Sequence, residues 1–64
     1  MKIIFHSKEV EIPYLKSAQE ILKHFNLVNN TVVFLRNGEI LDPALKIRIL
    51  PEDQIEIIKV ISGG

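Results

Sequence analysis

The chain has 64 residues, with eight basic and eight acidic side chains and a formal net charge of zero. This length allows one domain, spanning residues 1–64. The absence of cysteine excludes disulfides, thiolate metal sites and a thiolate nucleophile of its own. Its interspersed charges lack the basic field typical of nucleic-acid binding. The N-terminal run turns polar too soon for a signal peptide or membrane span. We therefore expect a cytoplasmic protein that binds neither nucleic acid nor membrane.

The first quarter of the chain predicts a β-hairpin. Residues 2–6 are rich in β-branched and aromatic side chains, and residues 9–12 alternate between charged and apolar. A short polar link at Ser7-Lys8 joins the two runs. Pro13 ends the second strand, because proline has no N–H to donate to a sheet.

The next segment has the signature of one amphipathic helix. Ser17 and Glu20 have the spacing of a capping box, in which each side chain accepts a hydrogen bond from the other residue's backbone N–H. Four apolar side chains follow at i, i+3, i+4 and i+7: Ala18, Ile21, Leu22 and Phe25. This spacing places them on one stripe of the helix, and asparagines from residue 26 onward favour its end.

The second half predicts further strands joined by tight turns. Residues 31–36 form a third strand, Asn37-Gly38 favours a type I′ turn, and residues 39–41 form a short return strand. Residues 47–50 form an irregular or briefly extended piece, and Pro51-Glu52-Asp53 favours another turn.

Residues 54–61 form the last strand. This order of elements predicts an α+β fold, a mixed sheet of four to five strands with one main helix packed across one face.

The helix can cover only one face of this sheet, yet two strands are apolar on both faces. In the last strand, Ile58 and Val60 alternate with Ile55 and Ile57, and Leu35 has the corresponding outward position in the third strand. Exposed apolar surface commonly marks a binding site, so Leu35, Ile58 and Val60 are candidate docking residues. The alternative is a second small core beneath the loop of residues 43–50.

The chain ends in Ser62-Gly63-Gly64, although its only other glycine is Gly38. A chance ending of two glycines has a probability of about half a percent. Glycine lacks a Cβ, so this end can enter a narrow channel, and three extended residues reach about 10 Å. We expect a flexible tail, residues 62–64, that presents its terminal carboxylate to a partner's active site. The alternative is a frayed end without function.

These features resemble the ubiquitin-like sulfur carriers. The resemblance spans nearly the whole chain, through Asn37-Gly38-Glu39-Ile40-Leu41 and especially the final strand and its Val60-Ile61-Ser62-Gly63-Gly64 ending. The thiamine-synthesis type (ThiS) is more similar in length than the molybdopterin synthase small subunit (MoaD). Arg36 and the Pro51-Glu52-Asp53 turn depart from the family pattern, in which a small or apolar residue and a glycine-containing turn are usual.

The resemblance implies a β-grasp fold with parallel first and last strands, and it implies a mechanism. An adenylating partner enzyme uses ATP and magnesium to activate the carboxylate of Gly64, and a sulfurtransferase or sulfide source converts it to a thiocarboxylate. An acceptor such as thiazole synthase then receives the sulfur. Gly64 is the loaded residue, Gly63 and Ser62 thread into the partner, and Leu35, Ile58 and Val60 dock it.

The sequence leaves two other functions open and argues against an enzyme. A protein modifier would join Gly64 to lysines of other proteins, and a β-grasp interaction domain would have an incidental tail. No set of nucleophile, base and orienting group is evident, and no glycine-rich phosphate loop or metal-ligand pattern occurs. We therefore expect no catalytic residues, no metal and no bound cofactor.

Overall fold

Residues 1–60 are described by a computed structural model, which contains five strands, one α-helix and one short 3₁₀ helix. The strands are β1 (Lys2–Phe5), β2 (Lys8–Glu11), β3 (Val32–Arg36), β4 (Glu39–Ile40) and β5 (Ile55–Lys59). The α-helix α1 spans Ala18–His24, and the 3₁₀ helix spans Asn29–Thr31. The predicted elements are therefore present, and their ends differ from the predicted ends by one or two residues. Thr31, predicted to begin β3, belongs to the 3₁₀ helix.

The five strands form one mixed sheet in the order β2-β1-β5-β3-β4. β5 lies between β1, to which it is parallel, and β3, to which it is antiparallel. The two hairpin pairs, β1 with β2 and β3 with β4, are antiparallel. This arrangement confirms the predicted β-grasp fold. No helix in residues 1–60 is long and apolar enough to cross a membrane.

Both hairpins close through two-residue turns with positive φ angles. Asn37 and Gly38 have φ of 52° and 85°, as the type I′ prediction requires. His6 and Ser7 also have positive φ angles, 53° and 63°, although neither residue type predicts such a turn. The register of Phe5 with Lys8 leaves only these two residues to reverse the chain, so tertiary pairing imposes the conformation.

The ends of α1 are fixed by local hydrogen bonds. At its start, the Glu20 N–H donates to Ser17 Oγ at 3.2 Å, which is one half of the predicted capping box. The reciprocal bond from the Ser17 N–H to the Glu20 carboxylate does not form within residues 1–60. At its end, the N–H groups of Asn26 and Leu27 donate to the carbonyls of Lys23 and Leu22. Asn26 has φ of 58°, so α1 ends in a Schellman motif.

The core lies between α1 and one face of the sheet. The predicted helix stripe is buried at Ala18, Ile21 and Leu22, and Phe25 stacks on Phe5 with ring centroids 5.0 Å apart. The sheet and the neighbouring segments contribute the remaining buried apolar residues: Ile3, Ile12, Val32, Phe34, Ile49, Ile55 and Ile57. This single cluster carries the hydrophobic stabilisation of the described chain.

A buried aspartate joins the two positions that depart from the family pattern. Asp53 accepts hydrogen bonds from the Leu50 N–H at 2.8 Å, from Arg36 Nε at 2.9 Å and from Asn37 Nδ2 at 3.0 Å. Arg36 thus faces the carboxylate of the Pro51-Glu52-Asp53 turn, and the two departures form one ion pair. The pair fixes the turn that leads into β5.

These contacts lower the pKa of Asp53 from its ordinary value of 3.8. The Leu50 N–H has the largest effect, burial opposes it by disfavouring the charge, and Asn37 and Arg36 lower the pKa further. Because the folded-state pKa is below the unfolded value, Asp53 stabilises the fold fully above pH 3.8. This contribution is lost as the pH falls through the folded-state pKa.

We predict that Asp53→Asn lowers the free energy of unfolding by about 2–4 kcal/mol at pH 7, because Arg36 loses its buried partner. Urea unfolding between pH 2 and pH 7 measures this change. The variant should also lose the part of the acid destabilisation that Asp53 contributes. Glu52→Gln, a change at the exposed neighbouring carboxylate, is the matched control. Equal pH dependence of wild type and Asp53→Asn would contradict this assignment.

Candidate functional site: the last strand and the outer face

The last strand is held firmly at the centre of the sheet up to its final described residue. Ile55 and Ile57 are fully buried beneath α1, and β5 pairs with strands on both sides. Beyond β5, the Val60 N–H donates to the carbonyl of Thr31 at 3.0 Å. Whatever follows Val60 therefore extends from a fixed point of the fold.

The predicted loading and threading residues, Gly64, Gly63 and Ser62, lie outside the described residues. Their roles, and the flexibility predicted for residues 62–64, remain predictions. The structure determines where the strand that leads to them ends and which surface surrounds that end.

The three candidate docking residues lie on one face, the side of the sheet that α1 leaves uncovered. Ile58 and Val60 are 41% and 54% exposed, and Leu35 is half-buried. In the register of β3 with β5, Leu35 is opposite Glu56, so Leu35 and Ile58 are diagonal neighbours. The side chains on this face are close enough to contact one partner surface.

Three further apolar residues belong to this surface, although they were not among the candidate docking residues. Val33 is opposite Ile58, Ile40 is opposite Leu35 and 78% exposed, and Ile4 is opposite Glu56. We call the surface the outer face. Its apolar members are Ile4, Val33, Leu35, Ile40, Ile58 and Val60. The alternation within β3 contained the signal for Val33, and the predicted two-residue turn contained the signal for Ile40. Ile4 required the strand order.

Carboxylates flank the outer face on the β1 side. Ile4 pairs with Glu9 on β2 and with Glu56 on β5. The next pair on this face is Lys2 with Glu11. Three carboxylates and one ammonium group therefore share this side of the sheet. A partner that covers the apolar residues therefore meets negative charge beside them. Basic groups at its rim would favour its approach.

The second small core, the alternative interpretation of these apolar residues, is not formed. Ile49 is fully buried, but it belongs to the main core beneath α1, and Tyr14 Oη donates a hydrogen bond to its carbonyl. Leu45 is 54% exposed. The loop thus packs on the helix side of the sheet, which leaves the outer face accessible.

The described residues show no cluster of side chains that could bind a metal ion. Residues 1–60 contain no group of three or more histidine, aspartate or glutamate side chains placed to hold a metal ion. His6 and His24 are exposed and lie edge-on against Phe5 and Phe25, with ring centroids 4.5 and 5.3 Å apart.

Comparison with known proteins agrees with this geometry. The model of the ThiS family matches residues 1–64. The sulfur carrier protein TtuB of Thermus thermophilus is 37% identical over 57 residues, which cover 89% of this chain and 85% of the relative. The crystal structure of the thiamine biosynthesis protein ThiS from Geobacter metallireducens superposes with a TM-score of 0.61 at 20% identity, over 100% of both chains. At that identity, the superposition supports the fold alone.

The chain therefore belongs to the ThiS family of ubiquitin-like sulfur carriers. It is a small carrier protein of the ThiS type and not an enzyme. The family resemblance inferred from the last strand and tail is thus confirmed.

We predict that β5 tolerates a polar side chain on its outer face but not on its inner face. Ile58→Thr keeps a β-branched side chain and should change the free energy of unfolding by less than about 1 kcal/mol. Ile57→Thr, its matched control, places a hydroxyl in the core and should cost about 2–4 kcal/mol. Chemical denaturation measures both values. Equal costs would show that the outer face is packed in solution.

Proposed function

We propose that the chain carries sulfur as a thiocarboxylate on Gly64. An oxygen of the terminal carboxylate attacks the α-phosphorus of ATP in the adenylating partner and displaces pyrophosphate, while magnesium bound with the ATP offsets its charge. Sulfide then attacks the acyl carbon and displaces AMP, which gives the thiocarboxylate directly. Where a sulfurtransferase persulfide attacks instead, AMP leaves and an acyl disulfide forms. A second thiol of the partner then reduces this acyl disulfide, which releases the thiocarboxylate and leaves a disulfide on the partner. ATP and magnesium belong to the partner, and this chain binds no cofactor of its own.

The chemistry of the terminal group explains why activation is needed. A terminal carboxylate has a pKa of about 3.5, so it is ionised at neutral pH and resists nucleophiles. Adenylation replaces one carboxylate oxygen by a good leaving group. Gly63 and Ser62 would thread the acyl group into the active site, because a glycine at the narrowest point leaves room for the channel walls.

The single observation that carries the proposal is the position of β5. A central strand, buried through Ile55 and Ile57 and paired on both sides, leads directly to the diglycine end. Such a strand would keep the base of the tail in a fixed position relative to the domain while a partner binds the residues beyond it. The exposed outer face, with Leu35, Ile58 and Val60, would dock that partner beside the tail.

For the acceptor, we propose thiazole synthase in thiamine biosynthesis, in the cytoplasm. The short length and the ThiS family match favour this acceptor over molybdopterin synthase. Transfer of sulfur to transfer RNA is the other candidate within the carrier class. Deleting the gene should cause a growth requirement that the thiazole precursor of thiamine relieves. A requirement for molybdopterin, or a loss of thiolated transfer RNA, would reassign the acceptor.

A different function, protein modification, would use the same tail. In that case, Gly64 forms an isopeptide bond with lysines of other proteins. Conjugates of increased mass in cells, lost when Gly64 is deleted, would favour this function over sulfur transfer. A third function, an interaction domain with an incidental tail, predicts that the tail is dispensable.

We predict that deletion of Gly63 and Gly64 abolishes loading without unfolding the domain. Incubation with the adenylating partner, ATP and a sulfur donor should exchange one oxygen of the wild type for sulfur, which intact-mass spectrometry detects. The truncated chain should show no exchange and should unfold at the wild-type urea midpoint. Sulfur loading of the truncated chain, or full function of it in cells, would refute the proposal.

We also predict that Gly63→Ala slows loading by at least about tenfold, because its Cβ would clash where the channel is narrow. The rate of adenylation, measured as ATP-dependent pyrophosphate release, tests this. Gly38→Ala is the control, since it strains a turn with φ of 85° that lies in the domain. The control should lower stability by about 1 kcal/mol while the loading rate is kept. Equal rates for Gly63→Ala and wild type would contradict tail threading.

A further inference from the structure

A cleft lies between the start of α1 and the loop that follows β4. Lys16, Ser17 and Gln19 line one side and residues 44–48 the other, and its volume is about 580 Å³. This volume is within the range that accommodates a ligand or a few side chains. We call it the basic cleft. It lies on the side of the sheet that α1 covers, whereas the outer face is the uncovered side.

The two walls of the basic cleft are fixed to each other. The Ile49 N–H donates to the carbonyl of Lys16 at 2.8 Å, and Gln19 Nε2 donates to the carbonyl of Pro43 at 2.9 Å. Ser17 and Arg48 also form an isolated antiparallel bridge. Because Ile49 is fully buried, the loop wall is anchored in the core. The cleft is therefore preformed, and a ligand need not order it.

The charge of the basic cleft is one-sided. Lys16, Lys46 and Arg48 line it, all three are exposed, and no carboxylate lies among its lining residues. Within residues 1–60, the ion pairs are those of the N-terminal amine with Glu11 and of Arg36 with Asp53. The three cations thus have no salt-bridge partner in the described part of the chain. A neutral chain concentrates three of its eight basic side chains here.

Aliphatic surface lies among these cations. Leu45 is 54% exposed, Ala44 is exposed and Ile47 is half-buried. Nucleic acid would favour an aromatic platform for its bases, and the cleft has none. A protein segment with carboxylates around an aliphatic side chain matches both the charges and the apolar floor.

We propose that the basic cleft docks such an acidic, aliphatic-bearing segment of the adenylating enzyme. The proposal depends on the proposed function for the identity of that enzyme. The adenylating enzyme binds the carrier before sulfur is loaded onto Gly64. The enzyme must therefore recognise the folded domain. The tail reaches only about 10 Å, so the domain must also lie against the enzyme during loading. The cleft lies at the start of α1, whereas Phe25 at the end of α1 stacks on Phe5 beside the C-terminal end of β5. The cleft therefore provides a second, charged contact away from the tail and on the other side of the sheet from the outer face.

The test uses Lys46→Glu/Arg48→Glu in the full chain, with Lys8→Glu/Lys23→Glu as a control of equal charge change away from the cleft. Binding to the adenylating enzyme without ATP, and the apparent KM for the carrier during loading, are measured at low and high salt. The cleft variant should weaken binding and raise KM about tenfold at low salt, with kcat unchanged. The difference should shrink at high salt, where charges are screened.

A second variant tests the aliphatic part of the contact. Leu45→Ser should weaken binding at both salt concentrations, since it removes apolar contact and no charge. Urea unfolding of each variant verifies that the domain is intact. Equal effects of the cleft and control reversals, or no binding of the wild type, would overturn the proposal. The proposal would also be overturned if binding of an RNA oligonucleotide required Lys46 and Arg48 while sulfur loading did not.

The outcomes separate this proposal from the proposed function. Sulfur loading that is insensitive to the cleft reversals refutes the docking proposal alone. Binding that depends on the cleft but leads to no sulfur exchange refutes the carrier mechanism and leaves the docking contact standing.

Discussion

The parallel pairing of β1 with β5 is the constraint on which the rest of the structure depends. It inserts the C-terminal strand between two hairpins, so Ile55 and Ile57 become core residues beneath α1. Parallel neighbours need a long connection, and residues 6–54 provide it through β2, the helix and the second hairpin. The chain end thereby extends from the best-supported strand of the sheet.

The same pairing divides the surface into two sides of different chemistry. The helix covers one face of the sheet and leaves the other with an apolar surface around Ile58 and a flank of carboxylates. On the helix side, the loop anchored by Ile49 forms the basic cleft with the start of α1. A domain of this size thus presents surfaces of different chemistry to its partners. The net charge of the chain is zero, but acidic groups predominate beside the outer face and basic groups in the cleft. A partner therefore interacts with the local charge of the surface that it contacts.

The ion pair between Arg36 and Asp53 explains how the chain tolerates its departures from the family pattern. A glycine-containing turn would supply the geometry before β5 through backbone freedom. Here, the carboxylate of Asp53 accepts from the Leu50 N–H within the turn and from two side chains of the β3–β4 hairpin. The turn is therefore held by hydrogen bonds that connect it to the neighbouring hairpin. Protonation of Asp53 removes the charge that these donors stabilise, which makes the arrangement sensitive to acid.

The sequence by itself determined the helix stripe, the Asn37-Gly38 turn, the inward and outward sides of β5 and the diglycine ending, because periodicity and turn chemistry are local properties. It also placed Leu35, Ile58 and Val60 on one face. Only the tertiary structure decided that Ile4 lies on the same face, that Ile49 belongs to the main core, and that Lys16 and Arg48 line one cleft. These contacts join residues distant in the chain, and their energies depend on strand order and register, which local patterns leave undetermined.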